Sequence, residues 1–373
     1  METTIPMTKV VALAITLFIS SISFSRNDSV DIPLPTSKQM ALLQQELERY
    51  MSIEKKGGWK PIKGSKKFYQ KDMSDPAVVQ IKARLKASGD YKSGDDSPVF
   101  TAELAQAVKK AQRRFGFKEN GVVDAPLLKE LNRTVGYRIA QLQVNMERLR
   151  ALPPVREGTR LVANIPEFKL HVYEGDRHMF DMNIVVGTEA NKTVTFNDEM
   201  KQIVFSPYWN VPPSIVKNEI LPAMRGNRSY LWNNGYVQTG TENGLPVIRQ
   251  MPGSKNALGK VKFLFPNDHA IYFHDTPAKS LFTVRKRTFS HGCIRLAEPA
   301  KLAEYLLRDV PGWTPAKIAE AMDAGKEKVV NLPSAVPVSI TYFTAWVDQQ
   351  GQLHFREDVY GHDKKEAAAI ARK

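Results

Sequence analysis

The spacing of apolar and polar positions divides the chain into a helical first part and a strand-rich second part. Between residues 38 and 151, apolar side chains recur every three or four positions, the period of an amphipathic helix. This period predicts helices over residues 38–51, 76–88, 102–115 and 137–151, and a short one after Asp124. Asp75-Pro76 and Gly89 supply start and end signals for the second of these helices.

From Arg160 the period falls to two, which indicates β-strands. The elements predicted beyond this point are strands over 160–166, 168–175, 179–188, 201–212 and 269–277, helices over 299–310 and 316–326, and two strands within 336–358 around a Gln350-Gly351 turn. Residues 214–260 interrupt the strands, beginning with a helix over 215–224 and then losing periodicity. A long irregular excursion of this kind is often a lid, with a surface loop as the alternative.

The first residues indicate export. Lys9 precedes an apolar run from Val10 to Ile19, and Ser23-Phe24-Ser25 offers small residues at the spacing that a signal peptidase reads. Residues 1–25 are therefore predicted to be a signal peptide that directs the protein to the periplasm, with an uncleaved membrane anchor as the alternative.

Charge narrows the choice of partner. The chain has 53 Lys and Arg against 39 Asp and Glu, a net charge of +14, which suits an anionic polymer or membrane surface. Export, and the lack of any nucleic-acid-binding motif in the sequence, exclude nucleic acid. A cell-wall polymer or a membrane surface is the better prediction, and a merely solvated basic face is the alternative.

The chain contains one cysteine, Cys293, within the segment TFSHGCIRLAEP. An exported protein with one cysteine cannot form an internal disulfide, so the thiol is a candidate nucleophile, with a buried apolar role as the alternative. The predicted 299–310 helix would lower the thiol pKa through its N-terminus. The N–H groups of Gly292 and Cys293 are candidate donors to an oxyanion.

Two histidines compete for the role of base. His291 is two residues before Cys293, whereas His274 is 293 − 274 = 19 residues upstream, a separation that suits a strand–loop–strand return. Chemistry favours His274, whose tautomer Asp275 would fix through its carbonyl or its carboxylate. A zinc site made from the cysteine and nearby histidines matches no zinc-ligand spacing well, and no metal or cofactor is predicted.

The order H-D-T-P followed by S-H-G-C-I-R closely resembles the signature of L,D-transpeptidases, cysteine enzymes that cross-link peptidoglycan stem peptides. The similarity extends to YWNVPPSI (208–215), to the insertion as a substrate-capping lid and to YFTAWVDQQG (342–351). Residues 72–136 resemble a small three-helix peptidoglycan-binding domain through the order of their helices and an Asn120-Gly121 turn, with a plain helical spacer as the alternative.

The predicted architecture is multidomain, with a β-rich L,D-transpeptidase catalytic domain of mixed sheets and flanking helices, an inserted lid and a small three-helix domain. The predicted boundaries are a signal peptide over 1–25, a tether and short helix over 26–71, a peptidoglycan-binding-like domain over 72–136, a catalytic domain over 137–362 with a lid over 214–260, and a tail over 363–373.

The resemblance implies that Cys293 forms a thioester with a donor tetrapeptide, that D-Ala leaves, and that an amine completes a 3→3 cross-link. The residues implied as catalytic are Cys293, His274, Asp275, His291 and Gly292, and those implied as substrate-binding are Arg295, Ser290, Tyr208, Trp209, Asn210 and Tyr272. Structural roles are the alternatives for some of these residues. Arg295 would be an ion-pair partner, Ser290 would stabilise the loop, and residues 208–210 would belong to the core.

The implied partners are peptidoglycan stem peptides and glycan strands, with a D-amino acid or a lipoprotein lysine as other acceptors. Carbapenems are expected to acylate the cysteine. The alternative functions are an L,D-carboxypeptidase, a cysteine wall endopeptidase and a non-catalytic peptidoglycan-binding adaptor.

Overall fold

A computed structural model describes residues 36–372. The predicted signal peptide and the start of the tether lie outside the described residues. Within the described part, no helix has the length and apolar character needed to cross a membrane.

The helical first part largely follows the predicted pattern. The helices of the chain are α1 Ser37–Lys55, α2 Pro76–Ser88, α3 Ala102–Arg114, α4 Ala125–Leu131, α5 Val135–Arg150, α6 Pro213–Ile215, α7 Leu221–Gly226, α8 Tyr230–Asn233, α9 Pro299–Leu307, α10 Pro315–Asp323 and α11 His362–Ile370. Asp75 caps α2 by accepting from the Ala77 N–H, and Asp124 caps α4 by accepting from the Leu127 N–H, as side chains of this type do at helix starts.

Strands dominate from residue 159. Two short strands, β1 Phe68–Tyr69 and β2 Val123–Asp124, precede this part and pair with each other. The strands from residue 159 onward are β3 Thr159–Asn164, β4 Lys169–Glu174, β5 Arg177–Gly187, β6 Phe196–Phe205, β7 Trp209–Asn210, β8 Tyr236–Glu242, β9 Leu245–Gln250, β10 Val261–Leu264, β11 Phe273–His274, β12 Thr288–Ser290, β13 Ile294–Leu296, β14 Lys328–Thr341, β15 Ala345–Val347 and β16 Leu353–Phe355.

Nine strands form one mixed sheet in the order β12-β5-β13-β11-β10-β6-β14-β3-β4, and a further pairing of β4 with β5 closes this order on itself. Side chains that alternate along these strands fill the interior, for example Leu161, Ile203, Phe263 and Ile294, which are all fully buried. Helices α9 and α10 pack against the same core. The fold is therefore the predicted β-rich domain of mixed sheet with flanking helices.

The inserted segment has a small core of its own. A π-helical turn over Val216–Ile220 joins α6 to α7, so the predicted helix over 215–224 is confirmed. The following residues were predicted to lack periodic structure, and this is wrong: β8 and β9 form a hairpin that β7 joins. Because β8 is exposed along nearly its whole length, it lacks the alternation that marks a half-buried strand.

Other predicted limits also differ. The strand predicted over 201–212 is broken at Ser206, where φ is 42°, so that β6 and β7 belong to different sheets. The strand predicted over 269–277 shrinks to β11. The two strands predicted around the Gln350-Gly351 turn are confirmed as the hairpin of β15 with β16. Residues 336–341, which were predicted as part of this pair, instead form the end of β14 in the main sheet. The predicted tail forms α11.

A buried amide on α5 fixes this helix to the segment before β15. Asn145 accepts from the Thr344 N–H at 2.9 Å and donates to the Thr344 hydroxyl at 2.8 Å, and both residues are fully buried. We expect Asn145→Ala to lower the free energy of unfolding by about 1–3 kcal/mol, because it leaves a buried N–H without a partner. Urea denaturation measures this loss, and Gln44→Ala on the exposed face of α1 is the control. A loss no larger than that of the control contradicts the assignment.

Candidate active site

Two short parallel strands position the motif residues. In the register of β11 with β13, Phe273 is opposite Ile294 and His274 is opposite Arg295. Phe273 and Ile294 are fully buried in the core. Because side chains alternate along a strand, the residues on either side of them point to the other face of the sheet. That face therefore carries His274 and Arg295, together with Tyr272 and Cys293 at the preceding positions.

A network of hydroxyl groups holds the loop between β12 and Cys293. The Ser290 hydroxyl donates to the Cys293 carbonyl at 2.5 Å and accepts from the Gly292 N–H at 3.1 Å. The Thr193 hydroxyl donates to the Gly292 carbonyl at 2.7 Å, and Gly292 has a φ of 120°, which disfavours any other residue there. The Gly292 N–H thus already has a hydrogen-bond partner in this conformation, so the Cys293 N–H is the more available of the two predicted oxyanion donors.

Cys293 lies at the start of a strand and not at a helix. The predicted helix N-terminus is wrong as a source of thiol activation, because β13 separates Cys293 from α9. Burial raises the pKa of the Cys293 thiol, and hydrogen bonds from Tyr272 and the charge of Arg295 oppose this effect without cancelling it. The Cys293 Sγ lies 3.5 Å from the carbonyl oxygen of Ala270, whose φ of 52° is unusual for a residue other than glycine.

His274 is buried, with 4% of its surface exposed. Its Nδ1 lies 2.5 Å from the Asp275 carbonyl oxygen. Since a carbonyl only accepts, Nδ1 carries the proton, and Nε2 keeps a lone pair in the neutral ring. Burial and then the charge of Arg295 lower the pKa of His274 to about 3, although the Asp275 carbonyl acts in the opposite direction. The imidazole is therefore neutral at physiological pH.

The Asp275 carboxylate is directed elsewhere. One oxygen accepts from the Lys260 N–H at 2.9 Å, and the other lies 2.6 Å from the Lys279 ammonium. A Cβ at Gly259 would overlap this carboxylate. The sequence left open whether Asp275 contacts the histidine through its side chain or its backbone, and the geometry assigns that contact to the backbone carbonyl.

The two remaining charged motif residues have different surroundings. The His291 Nε2 lies 2.7 Å from a Glu219 carboxylate oxygen, and both side chains are about half exposed, so His291 connects the cysteine loop to the inserted segment. Arg295 is half-buried, and its Nε is buried without a hydrogen-bond partner in residues 36–372. Burial lowers the pKa of Arg295, and the nearby Cys293 opposes this.

The aromatic candidates divide into two groups. Tyr272 contacts the thiol directly, and burial followed by the proximity of Cys293 raises the pKa of Tyr272, with a hydrogen bond from Trp209 acting in the other direction. Tyr208 packs against the Arg249 guanidinium, and Asn210 is exposed and accepts from the Arg249 Nε at 2.8 Å. Trp209 also packs on the small core of the inserted segment. These three residues therefore lie where the insertion leaves the main sheet.

Three residues that shape the site carry no functional signal in the sequence. Thr193 fixes Gly292, Ala270 supplies the carbonyl that faces Sγ, and Asn267 holds the turn around Ala270 with hydrogen bonds to the Phe265 and Ile271 carbonyls at 2.7 Å each. None of them belongs to a motif with a recognisable spacing. Only the Asn267-Asp268 pair, typical of turns, gives a local signal.

The fold and the site define a class of protein: a β-rich domain of mixed sheet that presents one cysteine and one buried histidine from neighbouring strands. Residues 158–329 match the YkuD family, described as the L,D-transpeptidase catalytic domain. Residues 74–131 match the family described as "Putative peptidoglycan binding domain".

Similar proteins carry the same family name. A protein of Haemophilus influenzae named "Putative L,D-transpeptidase" is 30% identical over 256 residues, which cover 64% of this chain and 50% of that protein. The chain thus matches about half the length of this curated relative. The solved L,D-transpeptidase of Stackebrandtia nassauensis is 14% identical with a TM-score of 0.27, covering 73% of this chain and 96% of that one. The solved L,D-transpeptidase of Xylanimonas cellulosilytica is 15% identical with a TM-score of 0.24, covering 74% of this chain and 99% of that one.

Residues 158–329 are thus similar to the L,D-transpeptidase catalytic domain of the YkuD family, and residues 74–131 are similar to a peptidoglycan-binding domain. The family resemblance inferred from the cysteine motif is confirmed.

The environment of the thiol predicts the pH dependence of its reaction with iodoacetamide. Because only the thiolate reacts and the pKa of Cys293 is raised, we expect the rate to rise with a midpoint above the ordinary thiol value of about 8.5. Tyr272→Phe should move the midpoint higher, because it removes a hydrogen bond that favours the thiolate. Tyr208→Phe is the matched control and should leave the midpoint unchanged. A midpoint near or below neutrality refutes this description of the thiol.

Proposed function

We propose that this protein is a periplasmic L,D-transpeptidase that forms 3→3 peptidoglycan cross-links through a thioester on Cys293. The observation that carries the proposal is the shared face of β11 and β13. On that face a thiol and a neutral imidazole with a free lone pair lie beside a half-buried arginine. These are the groups that acyl transfer by a cysteine needs, namely a nucleophile, a base and a cation.

The first half of the reaction breaks an amide bond. The His274 Nε2 takes the proton of the thiol, and the Cys293 sulfur attacks the carbonyl that joins the diamino acid of a tetrapeptide to its terminal D-Ala. The Cys293 N–H donates to the oxyanion of the tetrahedral intermediate. The imidazolium then returns the proton to the leaving amine, and D-Ala departs while a thioester remains.

The second half of the reaction transfers the acyl group to an amine. The side-chain amine of a neighbouring stem peptide attacks the thioester, and His274 takes a proton from this amine. The C–S bond breaks, the new amide closes the cross-link, and the Cys293 sulfur regains the proton from His274. A D-amino acid or a lipoprotein lysine in place of that amine gives exchange or anchoring, and water gives the carboxypeptidase reaction. The same attack on the strained amide of a carbapenem would acylate Cys293.

The surroundings of the motif suit an acidic peptide substrate. Arg295 contacts no carboxylate among the described residues at ion-pair distance, so its guanidinium is available to orient a substrate carboxylate. The inserted segment approaches the cysteine loop through Glu219 and His291, the place from which a lid would exclude water from the thioester.

The remaining parts of the chain agree with a wall substrate. The proposal includes export by residues 1–25, because stem peptides lie outside the cytoplasmic membrane, and it includes binding of glycan strands by the 72–136 unit. The net charge of +14 favours association with anionic wall polymers.

The first test is turnover of a disaccharide-tetrapeptide by the purified protein, with Cys293→Ala as the control. We expect free D-Ala, an acyl adduct on the intact protein that depends on Cys293, and a cross-linked dimer. Liquid chromatography and mass spectrometry of the products and of the protein measure all three. Adduct followed only by tripeptide would assign the carboxypeptidase reaction. If folded protein yields no D-Ala and no adduct, this result would favour the non-catalytic adaptor.

A pair of neighbouring substitutions tests how the base is oriented. Asp275→Asn keeps the carbonyl that holds His274 and an oxygen that can accept from the Lys260 N–H, so we expect kcat to fall only a few-fold. His274→Gln removes the base, and we expect kcat to fall by roughly 10²–10⁴. D-Ala release by both variants measures the difference. Equal losses would mean that the carboxylate of Asp275 takes part in catalysis.

A further inference from the structure

A second group of chemically capable side chains lies on β4 and β5, apart from the cysteine motif. Ligand atoms of His171, His178 and Asp181 all lie within 4.8 Å of one another. His171 is fully buried, whereas the other two are half-buried, so an ion can enter from their side.

The strand register brings these residues to one face. His171 is directly opposite Asp181 in the antiparallel pair. A bulge then shifts the register between Val172 and Tyr173, and His178 comes to lie opposite Tyr173. As a result the rings of His171 and His178 are 5.4 Å apart between centroids.

A buried carboxylate orients the inner histidine. The His171 Nε2 lies 3.0 Å from a Glu167 carboxylate oxygen. Since an ionised carboxylate only accepts, Nε2 carries the proton of the neutral ring, and Nδ1 keeps its lone pair. The His178 Nε2 lies 3.3 Å away and donates its hydrogen to that lone pair, and a bound ion would displace this proton. A carboxylate that accepts from the ring nitrogen not bound to the metal is the usual support of a metal-binding histidine.

The separation of the two nitrogen atoms matches a tetrahedral ion. Two nitrogen ligands at about 2.0–2.1 Å from zinc lie about 3.3–3.4 Å apart in tetrahedral geometry. We propose that His171 Nδ1, His178 Nε2 and the Asp181 carboxylate bind a divalent ion of the Zn²⁺ class, with water in the fourth position. Two imidazoles and one carboxylate favour Zn²⁺ or Co²⁺ over Mg²⁺ or Ca²⁺.

A neighbouring cation competes with the ion. The Lys169 ammonium lies 2.8 Å from the Asp181 carboxylate, which must turn from this lysine to complete the site. The bound ion would fasten β4 to β5 at the bulge. The same strand β5 continues to Val185 and Gly187, which pair with the segments on either side of the cysteine loop.

Titration with Co²⁺, followed by its visible absorption, tests the site. The protein should lack a polyhistidine tag and carry Cys293→Ala, so that the thiol cannot act as a ligand. We expect one ion per chain, with the intense bands of tetrahedral Co²⁺, and displacement by Zn²⁺. His178→Ala removes a proposed ligand and should weaken binding roughly tenfold or more, because loss of even a group that only supports a ligand costs about that much. Lys169→Met should strengthen binding, because it removes a competing cation.

His269→Ala, at an exposed histidine outside the cluster, is the matched control and should bind Co²⁺ as the parent does. Asp181→Asn also removes a proposed ligand but keeps the size of the side chain, so it tests the site even if His178→Ala misfolds. Thermal unfolding of each variant checks that it is folded. The proposal is overturned if the parent shows no saturable Co²⁺ uptake. It is equally overturned if folded His178→Ala and Asp181→Asn both bind as tightly as the parent.

Discussion

The parallel pairing of β11 with β13 is the constraint on which the candidate active site depends. The two strands have only two and three residues, and neither would persist without neighbours. Their outer edges pair with β10 and β5, and the side chains of their first residues, Phe273 and Ile294, are anchored in the core. Core packing therefore fixes the position of the thiol and the imidazole along the two strands and the face to which they point. A shift of one residue in the strand register would turn these side chains to the other face.

Burial then sets the chemistry of the resting site. The same low-polarity surroundings raise the pKa of Cys293 and lower that of His274 to about 3, so both groups are held in their neutral forms. A charged thiolate–imidazolium pair is therefore disfavoured in this structure. Hydrogen bonds from Tyr272 and the charge of Arg295 partly offset the effect of burial on the pKa of the thiol.

The sequence was sufficient for the motif, the helical caps and most strands, because these depend on local periodicity and on residue types with strong preferences. Asp75, Gly89 and the alternation after Arg160 are examples. Sequence patterns did not predict the features that contacts between distant parts of the chain determine. The exposed strand β8 has no alternation, and the engagement of the Gly292 N–H depends on Ser290 in the folded loop. The direction of the Asp275 carboxylate depends on Gly259 and Lys260, which no spacing connects to the motif.

Strand β14 has a consequence for how the catalytic part of the chain can be isolated. It runs over Lys328–Thr341 and lies between β6 and β3, so it is paired on both sides within the main sheet. The family match ends at residue 329, so a fragment cut there would lose nearly the whole of this strand. The edges of β3 and β6 would then be left unpaired, and unpaired edges of this kind promote aggregation. The stretch that is recognisable by family similarity is therefore shorter than the stretch that can fold.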